Sequence, residues 1–244
     1  MGRSRCDLEI RGKSPMKVYC MSDIHGFLNE FNEALALVEK ELKQSTDTML
    51  VLLGDYVHYG YDSRGVVDRI VSLQEEYGHQ RVIALRGNHE DMVLSGNIGL
   101  DDMCGLQIGE RVPQKYIRWM RQLRYHYEAG HTIFVHAGID EEAGDLWKIG
   151  TSDDIFAWKF PPTLGEIPGI DMKVVAGHSG TSTISGDPDF HGIYYDGASH
   201  YFIDGSVIES GYVNVLMVDT DTDRYYEVNA EGTDEVKPCE DYIS

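Results

Sequence analysis

Three short phrases in the first part of the chain combine aspartate, histidine or asparagine with glycine. They read Ser-Asp-Ile-His-Gly at 22–26, Leu-Gly-Asp-Tyr at 53–56 and Arg-Gly-Asn-His-Glu at 86–90. Each phrase follows a short apolar run, so each is predicted to lie in the turn that ends a buried strand. Carboxylate, imidazole and amide groups that meet at such turns suit divalent metal ions. The pattern therefore predicts metal chemistry at the carboxyl edge of a parallel sheet.

Two phrases in the second half have the same form. Phe-Val-His-Ala-Gly follows a predicted strand and offers His136, and Val-Ala-Gly-His-Ser follows another and offers His178. A single histidine at a strand end is more often structural than a metal ligand. Five strand ends that each carry a metal-competent side chain favour one shared site over five unrelated structural roles.

The order of these phrases resembles the metallophosphoesterases of the phosphoprotein phosphatase superfamily over about residues 16–218. It is most similar to the bacterial branch, which contains Ser/Thr protein phosphatases and symmetrical diadenosine tetraphosphatases. The resemblance implies an α/β fold of the calcineurin type, a four-layer α-β-β-α sandwich of two mixed β-sheets flanked by helices. It also implies two divalent metal ions, with Mn²⁺ expected and Fe or Zn as alternatives.

By the resemblance, each ligand has a place in this dinuclear centre. The first ion is bound by Asp23 and His25, both ions are bridged by Asp55, and the second ion is bound by Asn88, His136 and His178. Two ions about 3.5–4 Å apart clamp a phosphoryl group and lower the pKa of a bound water, so that hydroxide can attack phosphorus directly. No nucleophilic side chain lies in the motifs, so no covalent phosphoenzyme is expected.

The resemblance gives His89 and Asn88 further roles. His89 would lie outside the metal shell and protonate the leaving alkoxide, a role that imidazole fills well near neutral pH. Asn88 would also lie against the substrate phosphate. Together with Asp55, His89 is therefore a predicted catalytic residue.

The second phrase departs from the family pattern, which usually reads Gly-Asp-x-Val-Asp-Arg-Gly. Here it reads Gly-Asp-Tyr-Val-His-Tyr-Gly at 54–60. His58 replaces the aspartate that would orient His89, and Tyr59 replaces an arginine that would bind the substrate phosphate. Tyrosine cannot supply that charge. His58 could contact phosphate or position His89 as part of the catalytic group, or it could be a polar residue at the rim of the site.

Two cations could bind the substrate phosphate in place of the missing arginine. Lys159 follows Trp158, where the family usually has a second arginine, and it could act as a point charge. Arg64 is a reserve candidate.

The elements that must position these phrases alternate between strand and helix in the first half. Strands are predicted over 16–21, 48–53 and 81–85, and helices over 27–43, 64–77, 89–96 and 113–123. A Gly-rich loop is predicted over 97–112. The β-α-β order implies parallel strands. In the second half, strands that could build a second sheet are predicted over 131–136, 172–176, 191–195, 200–204 and 212–218.

Composition sets limits on partners and location. The 244 residues carry a formal net charge of −20, which disfavours nucleic acid as a partner because such binding relies on clustered Lys and Arg. No apolar run is long enough to span a bilayer, and no secretory signal is recognised, so no membrane partner is expected. The four cysteines are widely spaced, which favours a reducing cytoplasm over a disulfide framework.

The predicted organisation is a single metallophosphoesterase domain over 16–230. A disordered N-terminal extension is expected over 1–15, and an acidic C-terminal tail over 231–244. The chain is expected to be a monomer or a weak oligomer.

These patterns predict a metal-dependent phosphatase that hydrolyses phosphomonoesters, of the Ser/Thr protein phosphatase type. Its partner would be a phosphorylated small molecule or a phosphopeptide. Hydrolysis of symmetrical dinucleoside tetraphosphates by the same machinery is an alternative. A non-catalytic module that binds metal and phosphate is an alternative of another class, supported only by the departures at 58 and 59.

Overall fold

The computed structural model describes residues 16–96, 99 and 112–239. The predicted N-terminal extension over 1–15 and most of the predicted loop over 97–112 lie outside the described residues.

Eleven strands are described, and they form two mixed sheets. In chain order they are β1 Lys17–Met21, β2 Thr48–Leu52, β3 Val82–Ala84, β4 His126–Ala129, β5 Thr132–Val135, β6 Lys173–Ala176, β7 Tyr194–Tyr195, β8 His200–Phe202, β9 Leu216–Asp219, β10 Arg224–Val228 and β11 Thr233–Glu235. The first sheet has the order β11-β10-β9-β1-β2-β3, and the second has the order β4-β5-β6-β8-β7. Strands β1, β2 and β3 are parallel, as are β5, β6 and β8, whereas the outer strands pair antiparallel.

The described helices lie mostly between these strands in the chain. They are α1 Leu28–Gln44, α2 Ser63–Tyr77, α3 Asn88–Leu94, α4 Gln114–Met120, α5 Trp147–Gly150, α6 Asp153–Trp158, α7 Thr181–Ser185 and α8 Val207–Ser210, with a 3-10 helix over Glu141–Leu146. Apolar residues at helical spacing form the buried face of α1. The α2 helix begins where Asp62 accepts a hydrogen bond from the Gly65 N–H at 2.8 Å, and it ends at Gly78, whose φ is 88°.

Alternating side chains of β1 show how the layers stack. Tyr19 and Met21 pack in the apolar cluster under α1 and α2, whereas Val18 and Cys20 pack between the two sheets with Phe134 of β5. The other face of the second sheet packs against the helices α5 and α6. The result is the four-layer α-β-β-α sandwich that the resemblance implied.

The structure corrects the predicted extents of several elements. The strand expected over 191–195 is only Tyr194–Tyr195, and the one expected over 212–218 begins at Leu216. Strands β4, β10 and β11 were not predicted. Strand β11 lies within the stretch expected to be a tail and pairs with β10, so part of that stretch extends the first sheet. Among the described residues, no helix combines the length and apolar character needed to cross a membrane.

Candidate metal centre

The five sequence phrases lie in turns at the ends of parallel strands. Asp23 follows β1, Asp55 follows β2, and Asn88 begins α3 after β3, while His136 follows β5 and His178 follows β6. The two sheets thereby bring together the six predicted metal-binding residues. We call this set the metal cluster: Asp23, His25, Asp55, Asn88, His136 and His178.

The carboxylate of Asp55 lies at the middle of the site. Its Oδ2 is 3.4 Å from Nε2 of His136 and 3.9 Å from Nε2 of His25. Nε2 of His89 lies 3.8 Å from the same oxygen. One carboxylate oxygen therefore faces histidines that come from both sheets.

The remaining cluster atoms also lie close to one another. Oδ1 of Asn88 is 2.9 Å from Nε2 of His136 and 3.1 Å from Nδ1 of His178. Oδ1 of Asp23 is 3.8 Å from Nε2 of His25. Two sets of possible ligand atoms share Asp55, one with His25 and His89 and one with His136 and His178, and the atoms of each set lie within 4.8 Å of one another.

Unusual backbone conformations aim these side chains. Left-handed φ angles of 53°, 48°, 56° and 61° occur at Asp23, His25, Asp55 and His178. Such conformations cost non-glycine residues about 1–3 kcal/mol each and concentrate at functional sites. Gly87 allows the turns to approach closely, because a Cβ there would overlap Oδ1 of Asp55.

Hydrogen bonds fix both aspartates. Ser22 Oγ donates to Oδ2 of Asp23, and the His178 N–H donates to the same oxygen at 3.0 Å. The His89 N–H donates to Oδ1 of Asp55 at 2.9 Å. Each carboxylate therefore keeps its other oxygen directed at the histidines.

Glu90 is a site residue to which the sequence reasoning gave no role. Its buried carboxylate accepts the backbone N–H groups of Asp55, Tyr56 and Gly87, each at 2.9 Å. It thereby joins the turn after β2 to the turn after β3. The signal was present in the sequence, since Glu90 closes the phrase that carries Asn88.

Asp204 is a second residue missed from the sequence. It is buried, it follows β8, and its Oδ1 accepts the Ser206 N–H at 2.8 Å. Burial and the charge of Asp204 raise the pKa of Asp23 well above its usual range. Its phrase, Phe-Ile-Asp-Gly-Ser, places an Asp-Gly after a strand and so matches the pattern of the other five.

The electrostatics of the cluster favour added positive charge. Burial alone would raise the pKa of Asp55, but His136 and the neighbouring histidines hold it below its usual range. Burial would lower the pKa of His136, yet the Asp55 carboxylate outweighs it and raises that pKa to about 9. Burial and the charge on His136 lower the pKa of His178 to about 4. The buried carboxylates of the cluster therefore favour positive charge beside them.

The donor set fits divalent cations. Within residues 16–96, 99 and 112–239, the ion-pair partners of Asp23 and Asp55 are histidines, and none is Lys or Arg. Buried carboxylates need compensation by a charge or a metal ion. Imidazole nitrogens, carboxylates and one amide oxygen are ligands that suit Mn²⁺, Fe or Zn.

The residue that departs from the family pattern, His58, is fully buried rather than at a rim. Its Nδ1 is 2.7 Å from Nδ1 of His89, and its Nε2 is 2.7 Å from the Gly99 carbonyl oxygen. The neighbouring Tyr59 is 37% exposed, and its ring packs at 5.0 Å from His25 and 5.3 Å from His89. His58 therefore contacts the predicted catalytic histidine, and Tyr59 lies beside it nearer to solvent.

The two predicted phosphate-binding cations lie outside the metal cluster. The Lys159 ammonium pairs with Glu141 and donates to the Ile139 carbonyl oxygen at 2.7 Å. The Glu141 carboxylate therefore already offsets the positive charge that this lysine would offer to a phosphate group. Arg64 lies in the first turn of α2 and is partly buried.

Solved structures share this architecture at low sequence identity. A cold-active protein-tyrosine phosphatase of a psychrophilic Shewanella species is 17% identical with a TM-score of 0.66, covering 92% of this chain and 81% of that one. A protein serine/threonine phosphatase from Saccharomyces cerevisiae, with similarity to human phosphatase PP5, is 17% identical with a TM-score of 0.59, covering 84% and 73%. A proposed diadenosine tetraphosphatase is 18% identical with a TM-score of 0.57, covering 92% and 94%. At these identities the likeness shows the fold.

The family is shown by a sequence match. The profile of the calcineurin-like phosphoesterases matches residues 16–214, which is most of the chain and includes the whole metal cluster. The chain therefore belongs to the calcineurin-like phosphoesterase family and is a metal-dependent phosphoric ester hydrolase.

Proposed function

We propose that this protein is a dinuclear-metal phosphatase that hydrolyses phosphomonoesters. The observation that carries the proposal is the convergence of histidines from both sheets on one oxygen of Asp55. When bound, two divalent ions supply an activated water for direct attack on phosphorus and neutralise charge on the phosphoryl oxygens. Mn²⁺ is the ion we propose, and Fe or Zn would suit the same ligands.

The two groups within the metal cluster support one ion each. Asp23 and His25 would hold the first ion, and Asn88, His136 and His178 would hold the second. Asp55 is suited to bridge them because its Oδ2 faces both groups, and a carboxylate can serve two cations. Asn88 contributes a neutral oxygen, which limits the negative charge of the second group.

The residues around the metal cluster bear on which substrates could bind. Tyr59 is partly exposed beside His25 and His89, so it would contact the part of a substrate that enters from solvent. Lys159 and Arg64 are kept as candidate phosphate contacts, with the charge of Lys159 partly offset by Glu141. A phosphopeptide or a phosphorylated small molecule fits these features, and Ser/Thr specificity remains a prediction from the resemblance.

Substrate comparison separates this function from its rivals. We expect the Mn²⁺-loaded protein to release phosphate from phosphoserine, phosphothreonine or phosphotyrosine peptides faster than it cleaves diadenosine tetraphosphate. Asp55→Asn should abolish both reactions, because a neutral amide cannot bridge two cations as a carboxylate does. Faster cleavage of diadenosine tetraphosphate would favour the dinucleotide hydrolase. Phosphate binding without turnover of any ester would favour the non-catalytic module.

A further inference from the structure

The aromatic ring of Tyr59 lies against the metal cluster. Its centroid is 5.0 Å from that of the His25 ring, at an interplanar angle of 71°, and 5.3 Å from that of the His89 ring. Of the exposed aromatic residues in the part of the chain that the structure describes, Tyr59 is the one with a ring contact to a histidine of the site. A ligand that reaches the cluster from solvent therefore meets this ring as well.

The backbone holds the Tyr59 ring in this position. Left-handed φ angles of 75° and 66° occur at His58 and Tyr59. The Gly60 N–H donates to the His25 carbonyl oxygen at 2.6 Å, and backbone atoms of His25 and Gly26 fill the space that a Cβ at Gly60 would need. The turn is thereby fastened to the turn that carries His25. A tyrosine side chain has few rotatable bonds, so a ring held in this way loses little freedom when a ligand packs on it.

The tyrosine changes what this position can recognise. The arginine of the family pattern would bind phosphoryl oxygens, which all phosphate monoesters share. A phenol ring does not supply that charge, but it packs with other aromatic rings in offset or edge-to-face arrangements. The position therefore acts on the organic part of an ester, which differs from one substrate to the next.

We propose that Tyr59 makes the site prefer aryl phosphate monoesters, phosphotyrosine peptides among them, by packing against the aromatic leaving group. This inference rests on the proposed phosphatase function, and it differs from the Ser/Thr preference that the resemblance predicts. Hydrolysis of such an ester adds the oxygen of one water to phosphorus, breaks the bond from phosphorus to the ester oxygen and releases the phenol with a proton.

The position of the ring favours aryl esters over the other candidate substrates. In an aryl ester the aromatic ring is joined directly to the ester oxygen, so it lies close to phosphorus. A ring that contacts His25 and His89 is therefore within reach of it. Phosphoserine has no ring, and in diadenosine tetraphosphate a ribose separates each base from the nearest phosphorus.

Tyr61 provides a matched control two residues away. It is exposed, its hydroxyl donates to Glu30 at 2.6 Å, and its ring packs at 5.8 Å from that of Phe27. It thus faces the start of α1 rather than the metal cluster. A general effect of removing an exposed tyrosine would appear at both positions, whereas recognition of the leaving group would appear at Tyr59 alone.

Two peptides of one sequence, carrying either phosphotyrosine or phosphoserine, test the preference. We would measure the ratio of their kcat/KM values with the Mn²⁺-loaded wild type and the variants Tyr59→Leu, Tyr59→Phe and Tyr61→Leu. Comparing this ratio between proteins cancels the different intrinsic reactivity of the two esters. We expect Tyr59→Leu to lower the ratio by about 2- to 10-fold, the range of one aromatic contact. Tyr59→Phe keeps the ring and should retain the ratio, as should Tyr61→Leu.

Several results would overturn the proposal. They are an unchanged ratio in Tyr59→Leu, an equal fall in Tyr61→Leu, and a fall in Tyr59→Phe as large as that in Tyr59→Leu. Cleavage of diadenosine tetraphosphate that suffers more than phosphotyrosine hydrolysis in Tyr59→Leu would assign the ring to a nucleobase instead.

Binding without turnover gives an independent readout. Phenylphosphonate and methylphosphonate resist hydrolysis, and calorimetry would measure their affinities for the Mn²⁺-loaded protein. We expect the wild type to bind phenylphosphonate about 2- to 10-fold more tightly, and Tyr59→Leu to lose this difference. Equal affinities in the wild type would overturn the proposal even if no Tyr59 variant folds. Absent ester turnover by the wild type would instead count against the phosphatase function, and the phosphonates would still decide the role of Tyr59.

Discussion

Glu90 should determine whether the turn that carries Asp55 can form. Its carboxylate is fully buried and accepts three backbone N–H groups, from Asp55, Tyr56 and Gly87. Glu90→Ala would leave all three donors buried without this acceptor. Glu90→Gln keeps the shape and one acceptor oxygen, but it turns an amide N–H₂ towards at least one of the donors.

The expected loss follows from these three contacts. An unsatisfied buried donor costs about 1–3 kcal/mol, so three would cost about 3–9 kcal/mol if nothing relaxed. Burial and the charge of Asp55 raise the pKa of Glu90 to about 7, which means that the native state also bears the cost of an unfavourable charge. Removing that charge offsets part of the loss, so we expect about 3–4 kcal/mol for Glu90→Ala and about 1–2 kcal/mol for Glu90→Gln.

Urea unfolding of the metal-free protein near neutral pH measures both changes. Glu75→Ala, on the exposed side of α2, is the matched control and should change the unfolding free energy by less than about 0.5 kcal/mol. If Glu90→Ala were as stable as this control, the three hydrogen bonds would not support the turn and the reasoning would be wrong. Equal losses for alanine and glutamine would show that the acceptor oxygen kept by glutamine does not support the turn, which would contradict the expected difference.

Three further predictions concern the site and its neighbourhood. Gly87→Ala should sharply weaken Mn²⁺ binding measured by calorimetry, because the added Cβ overlaps Asp55, whereas Gly192→Ala, which meets only ordinary contacts, should not. Burial would raise the pKa of Glu141, but a histidine and Lys159 hold it at about 2, so its carboxylate stabilises the fold above its unfolded pKa. The destabilisation by Glu141→Gln should therefore disappear as pH falls from about 4.5 towards 2 in thermal melts. If His89 protonates the leaving alkoxide, kcat should change little across a series of phosphate esters as the leaving group becomes more acidic, and a steep rise would contradict that role.

The strand-end phrases were predictable because each depends on local sequence. An apolar run followed by a turn carrying Asp23, Asp55 or Asn88 fixes both the strand and the edge at which it ends. The stacking of two sheets was implied by the family resemblance and not by the periodicity. Strands β4 and β11 were missed because most of their side chains are half-buried or exposed, so no apolar run predicts them.

The parts of the site that escaped prediction depend on contacts between distant residues. Glu90 acts on backbone groups more than thirty positions away, which no local spacing reveals. Lys159 follows a tryptophan at the position where the family usually has an arginine, yet its ammonium forms an ion pair with Glu141. The buried contact between His58 and His89 joined two residues that the sequence had already singled out, and only the fold could show which atoms meet.

Metal dependence of ester hydrolysis tests the central claim most directly. The metal-stripped protein would be assayed with para-nitrophenyl phosphate as Mn²⁺ is added back, beside the Asp55→Asn variant. We expect no turnover without metal, turnover that rises with Mn²⁺ until a dinuclear site is filled, and loss of that turnover in the variant. Hydrolysis that needed no metal, or that survived Asp55→Asn unchanged, would contradict a dinuclear centre bridged by Asp55.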